Sequence, residues 1–153
     1  MEKKYKVGLI SLGCAKNLVD SEMILGMLNS SNFEVVNSIE KSDVIIVNTC
    51  GFIEDSKKES IENILDVISY NKVTVVTGCL VERYKDELKE AIPEVDLWVA
   101  IKDYPHFNEM LMALLKQSVE VNQINPFVRM LSTPPYMAYL RISEGCNNCC
   151  SYC

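Results

Sequence analysis

Cys146, Cys150 and Cys153 stand in a C-x3-C-x2-C spacing, with Tyr152 immediately before the third cysteine. Three thiolates on one short loop can ligate three irons of a [4Fe–4S] cube and leave the fourth iron open to an outside ligand. Ferredoxin-type runs supply a fourth cysteine instead. Cys149, in the same loop, keeps a second chemistry open. With it, the loop could make a structural zinc site, which takes four ligands and favours closely paired cysteines.

Three more cysteines are far apart in the chain but share a setting. Cys14 follows the apolar run Lys6–Leu12, Cys50 follows Asp43–Asn48, and Cys79 follows Val73–Thr77. Each run reads as a buried strand, and each is followed by a segment of helical period. In open α/β sheets the loops at the carboxyl ends of the strands gather at one edge, where ligands bind. The three thiols are therefore expected to meet and share a metal site. Gly13, Gly51 and Gly78 flank them and would let backbone come close to a bulky inorganic group. A lone free cysteine would read simply as a small buried apolar residue; three at one edge favour the shared site. The single histidine, His106, follows Pro105 at a predicted helix start, so no Cys–His dyad for nucleophilic chemistry is apparent.

The elements that must position these residues alternate. Helices are predicted over 17–28, with apolar positions Leu18, Val19, Ile24, Leu25 and Leu28. Others follow over 56–70, with Ile61, Ile64, Leu65 and Ile68 on one face, over 81–91, and over 106–116. Further strands are predicted at 33–36, 95–99 and, as a short edge, 119–121. The nearly continuous β-branched run in Asp43–Asn48 suits a sheet covered on both faces. Strand–helix alternation with short connections implies right-handed crossovers and a parallel sheet. The expectation is a flavodoxin-like, doubly wound, mostly parallel α/β domain over residues 4–121. Residues 122–136 contain Pro126, Pro134 and Pro135 and read as a linker. Residues 137–153 read as a new strand, 137–143, leading into the Cys146 loop.

Composition narrows the function classes. The 153 residues suit one domain with the start of another, and 48% hydrophobic with 24% charged residues supports a packed core. A net charge of −6 without a polybasic run offers no surface for nucleic-acid backbones. No apolar run reaches the roughly 20 residues of a membrane span, and the N-terminal one is too short for a signal peptide. A cytoplasmic protein is expected. In a reducing compartment, seven cysteines point to metal or redox work rather than disulfides.

Together these motifs resemble a known family. Ser11-Leu12-Gly13-Cys14-Ala15-Lys16-Asn17-Leu18-Val19-Asp20-Ser21-Glu22, Val47-Asn48-Thr49-Cys50-Gly51-Phe52-Ile53 and Thr77-Gly78-Cys79-Leu80 resemble the N-terminal domain of the radical S-adenosylmethionine (SAM) methylthiotransferases. Ile142-Ser143-Glu144-Gly145-Cys146, with Cys150 and Cys153, resembles the entrance to the radical SAM barrel of the same enzymes. The wording around Cys14 is similar to the RimO branch, whose members methylthiolate an aspartate of a small-subunit ribosomal protein, the twelfth. The tRNA-adenosine branch is the alternative, and a non-catalytic metal-binding module is another.

The resemblance implies that Cys14, Cys50 and Cys79 bind an auxiliary [4Fe–4S] cluster, while Cys146, Cys150 and Cys153 bind the SAM-cleaving one. It places Tyr152 near the SAM adenine. It also implies a reaction in which a deoxyadenosyl radical abstracts hydrogen from carbon and sulfur bearing a SAM-derived methyl group is inserted. The expected partners are the ribosomal protein and a reductant protein, with no membrane and no direct nucleic-acid contact from this segment. Cys149 departs from the family pattern and is read as an idle thiol. A barrel needs about 200 residues or more, so the sequence reads as an N-terminal portion, expected to be inactive alone.

Overall fold

The computed structural model describes residues 4–29, 33–116, 128–143 and 145–151. Five strands form one sheet: β1 (Tyr5–Ser11), β2 (Phe33–Val35), β3 (Val44–Thr49), β4 (Val73–Gly78) and β5 (Leu97–Val99). Their order is β2-β1-β3-β4-β5, and every pairing is parallel. This is the doubly wound order of flavodoxin-like sheets, as expected from the sequence. The helices are α1 (Ala15–Asn29), α2 (Glu54–Ser69), α3 (Cys79–Ala91) and α4 (Phe107–Leu114), the last preceded by a 3-10 turn over Ile101–His106.

Period-two alternation in the central strand explains the two-sided core. Along β3, Val44 and Ile46 join a cluster with Ile24 and Leu28 of α1 and Phe107 and Leu111 of α4. Ile45 and Val47 point the other way, to Ile64 and Val67 of α2 and Leu80, Val81 and Leu88 of α3. All six β3 residues are buried, so a continuous apolar run is what this position demands.

Three expectations change. On α2, Leu65 is 53% exposed while Ile64 and Val67 are fully buried; the contact stripe follows Ile64 and Val67, and Leu65 falls outside it. On α1, Leu18 and Leu25 are only half-buried, whereas Asn17, Asp20, Ser21 and Glu22 are buried. The helix is covered on more than its sheet side. Residues 137–143 form no strand: a strand needs a ladder partner, and the segment has none among the described residues. Leu140 and Ile142 are 82% and 89% exposed. The strand expected at 119–121 lies outside the described residues. No helix is long and apolar enough to cross a membrane among the described residues.

Candidate metal centre

β1, β3 and β4 are neighbours in the sheet, and their registers run level, with Ser11 beside Asn48 and Thr49 beside Gly78. Their carboxyl ends therefore finish together. Cys14 precedes α1, Cys50 follows β3, and Cys79 is the first residue of α3. Chain positions far apart thus arrive at one edge, as the strand-end pattern requires. Cys14 is exposed, Cys50 buried and Cys79 half-buried. Burial pushes the Cys79 thiol up, and the neighbouring Cys50, Cys14 and Asp20 reinforce this while Lys16 opposes it. Metal uptake at Cys79 would have to displace its proton.

The glycines beside these cysteines also serve the packing of the loops. An added Cβ at Gly13 would lie 2.6 Å from Cys50 Cβ, and one at Gly51 would lie 2.9 Å from Leu80 Cα. At Gly78 it would overlap the Thr49 backbone. The missing side chains let the loops close on one another, which brings the thiols into one neighbourhood.

Asn17 is the residue that sequence reasoning passed over. Its amide nitrogen donates to the carbonyls of Leu12 (3.0 Å) and Thr49 (2.8 Å), and its amide oxygen accepts from Cys79 Sγ at 3.5 Å. One buried side chain therefore ties the loops after β1 and β3 to the start of α3. Asn48 extends the network, donating to the Asn17 carbonyl and to Ser21 Oγ. The available signal was an amide at a helical position that must be buried directly after a Gly-Cys turn. Replacing Asn17 with alanine is expected to lower stability by about 1–3 kcal/mol, because buried carbonyls lose their donor. Urea denaturation of the iron-free chain measures this.

Thiols are the donor type that iron–sulfur clusters take, and this edge offers three of them. Among the described residues, no three Cys, His, Asp or Glu side chains are arranged to hold one metal ion. Thiolates around one zinc sit about 3.8 Å apart on bonds of 2.3 Å, whereas a cube takes each thiolate on a separate corner. His106 is no competitor: its side chain is 66% exposed and pairs with Glu109. In the second cysteine set, Cys146 and Cys149 are exposed and Cys150 is half-buried. The Asn148 N–H donates to Cys146 Sγ at 3.4 Å. Tyr152 and Cys153 lie outside the described residues.

Residues 6–100 match the model of a family described as "Uncharacterized protein family UPF0004". The chain belongs to this family. Across 98% of its length it is 48% identical to a protein of Clostridium novyi named ribosomal protein uS12 methylthiotransferase RimO. Proteins of the same name from Clostridium botulinum (strain Langeland) and Clostridium perfringens (strain 13) are 49% and 46% identical, over 99% and 98% of the chain. The resemblance to the methylthiotransferases therefore holds across the chain. The match spans 36% of each relative's length.

Proposed function

We propose that this chain is the N-terminal part of a radical SAM enzyme that methylthiolates an aspartate of ribosomal protein uS12. The observation that carries the reading is the arrival of Cys14, Cys50 and Cys79 at one sheet edge, in a chain nearly half identical to proteins named for that activity. In this reading those cysteines hold an auxiliary [4Fe–4S] cluster, and Cys146, Cys150 and Cys153 hold the cluster that binds S-adenosyl-L-methionine. When bound, the clusters supply reductive cleavage of that molecule at one site and sulfur delivery at the other.

The chain's own residues do the rest. Cys50 anchors the auxiliary site in the core and Cys14 presents it at the surface. Lys16, whose charge acts on Cys79, offsets thiolate charge. Asn17 keeps the three loops in register, and Tyr152 packs by the adenine. Residues 4–121 form the first domain, 122–136 the connection, and 137–153 the approach to the barrel. Turnover requires the remainder of the enzyme, so these 153 residues alone are expected to be inactive. The working compartment is the cytoplasm, where ribosomal protein and a reductant protein are available.

The test uses a strain lacking the full-length gene, with uS12 and tRNA examined by mass spectrometry. The expected result is uS12 without its methylthio group, restored by the intact gene and by no version carrying Cys146→Ala. Unchanged uS12 together with a missing tRNA methylthio group would move the assignment to adenosine in tRNA.

A further inference from the structure

A helix laid on a sheet usually turns one side to water. Helix α1 does not: Asp20 and Glu22, two residues apart and so on nearly opposite sides, are each only 1% exposed. An isolated buried carboxylate is unfavourable unless paired and hydrogen-bonded. Both carboxylates find their partners in the chain beyond residue 127.

Glu22 Oε1 accepts the backbone N–H and the hydroxyl of Ser132, each at 2.8 Å. The Met130 N–H donates to the Glu22 carbonyl at 3.0 Å. Arg129 Nη2 lies 2.8 Å from Glu22 Oε2, an ion pair by distance rather than an aligned hydrogen bond. Burial pushes the Glu22 carboxyl up, but the Ser132 donors and the Arg129 charge together outweigh it and hold it below the usual carboxylate range. Asp20 takes Arg141 Nη1 at 2.5 Å and Lys16 Nζ at 3.4 Å. The other Arg141 nitrogen reaches Met23 Sδ at 3.6 Å.

The order of these contacts gives the segment a direction. Val128 crosses at Gly26, where any Cβ would overlap its carbonyl. Ser132 sits at Glu22 and Arg141 at Asp20. Residues 139–143 then line a cavity of about 220 Å³ with Ala15, Lys16 and Val19. The segment therefore runs antiparallel to α1, from its C-terminal half to the end that carries Cys14.

We infer that Asp20 and Glu22 form a two-point clasp that lays residues 128–143 along α1 and brings the chain entering the Cys146 loop to the Cys14 end of that helix. Its purpose, setting one cysteine set against the other, rests on the function proposed above; the clasp itself rests on the contacts. Both carboxylates are positioning residues, and Gly26 is the clearance that lets the segment lie flat.

The test is hydrogen exchange on the full iron-free chain, which needs no cluster, so the clasp can fail while the functional reading stands. Arg129→Gln is expected to speed exchange of the Met130 and Ser132 amides about tenfold or more, with the β3 amides unchanged. Arg129→Lys, which keeps the charge, is expected to restore most of that protection. Asp20→Asn is expected to raise tryptic cleavage after Arg141 by about tenfold. Wild-type protection in Arg129→Gln overturns the clasp. So does equal acceleration in β3, which would mean global opening rather than release of a strap. Cleavage after Arg141 at the wild-type rate removes the Asp20 point.

Discussion

Changing Cys14, Cys50 and Cys79 together to alanine is expected to abolish iron and acid-labile sulfide binding by the first domain, from about four of each per chain to none. The physical case rests on placement. The three thiols sit at the ends of three adjacent parallel strands, and among the described residues no three Cys, His, Asp or Glu side chains, these thiols included, are arranged around one ion. Removing them leaves nothing to replace the lost ligands. The fold should survive, because Cys14 is exposed and Cys79 half-buried, and only Cys50 loses core contacts. Anaerobic reconstitution followed by iron, sulfide and zinc analysis measures the effect, with circular dichroism as the control for folding. About eight irons in the parent, halved in the variant, would assign a second cube to Cys146, Cys150 and Cys153. Zinc without sulfide, in either protein, would overturn the iron–sulfur reading and leave a structural metal module.

The parts of this molecule governed by local pattern could be read before the structure was known. Strands such as Val44–Thr49 announce themselves because burial on both faces forces a continuous β-branched run. The sheet order follows from alternation and handedness once the strands are identified. The arrival of Cys14, Cys50 and Cys79 at one sheet edge was legible for the same reason, since strand ends in a parallel sheet share one edge.

What escaped was set by partners distant in sequence. Asp20 and Glu22 look like surface charges on a helix, and their burial depends on a segment more than a hundred residues away. No periodicity within α1 can record that. Asn17 was hidden differently: as a helix-start residue it is unremarkable, and only the closing of three loops gives its amide three partners. Residues 137–143 show the converse, a strand-like composition without a neighbouring strand to pair with.

Gly78→Ala is expected to cost about 3–5 kcal/mol and lower the melting temperature by about 10–20 °C. Two independent penalties combine. Gly78 has φ 104° and ψ −167°, a region that is essentially open only to glycine. An added Cβ would also overlap the Thr49 carbonyl oxygen and lie 2.5 Å from Asn48 Oδ1 and 2.6 Å from the Thr49 nitrogen. Those atoms belong to the neighbouring strand, which is buried on both faces and cannot retreat without opening the sheet. A domain stable by only about 5–15 kcal/mol would lose a large share of its margin. Gly145 supplies the internal comparison: its φ is also positive, at 68°, but an added Cβ meets nothing within 4 Å. Gly145→Ala should therefore cost at most about 1–2 kcal/mol. Thermal melts of the two variants separate the contributions of conformation and contact. If Gly78→Ala melts within about 3 °C of the parent, the β3–β4 edge yields far more readily than its packing implies. Cys79, the next residue, would then be held less rigidly beside Cys14 and Cys50 than the proposed shared metal site requires.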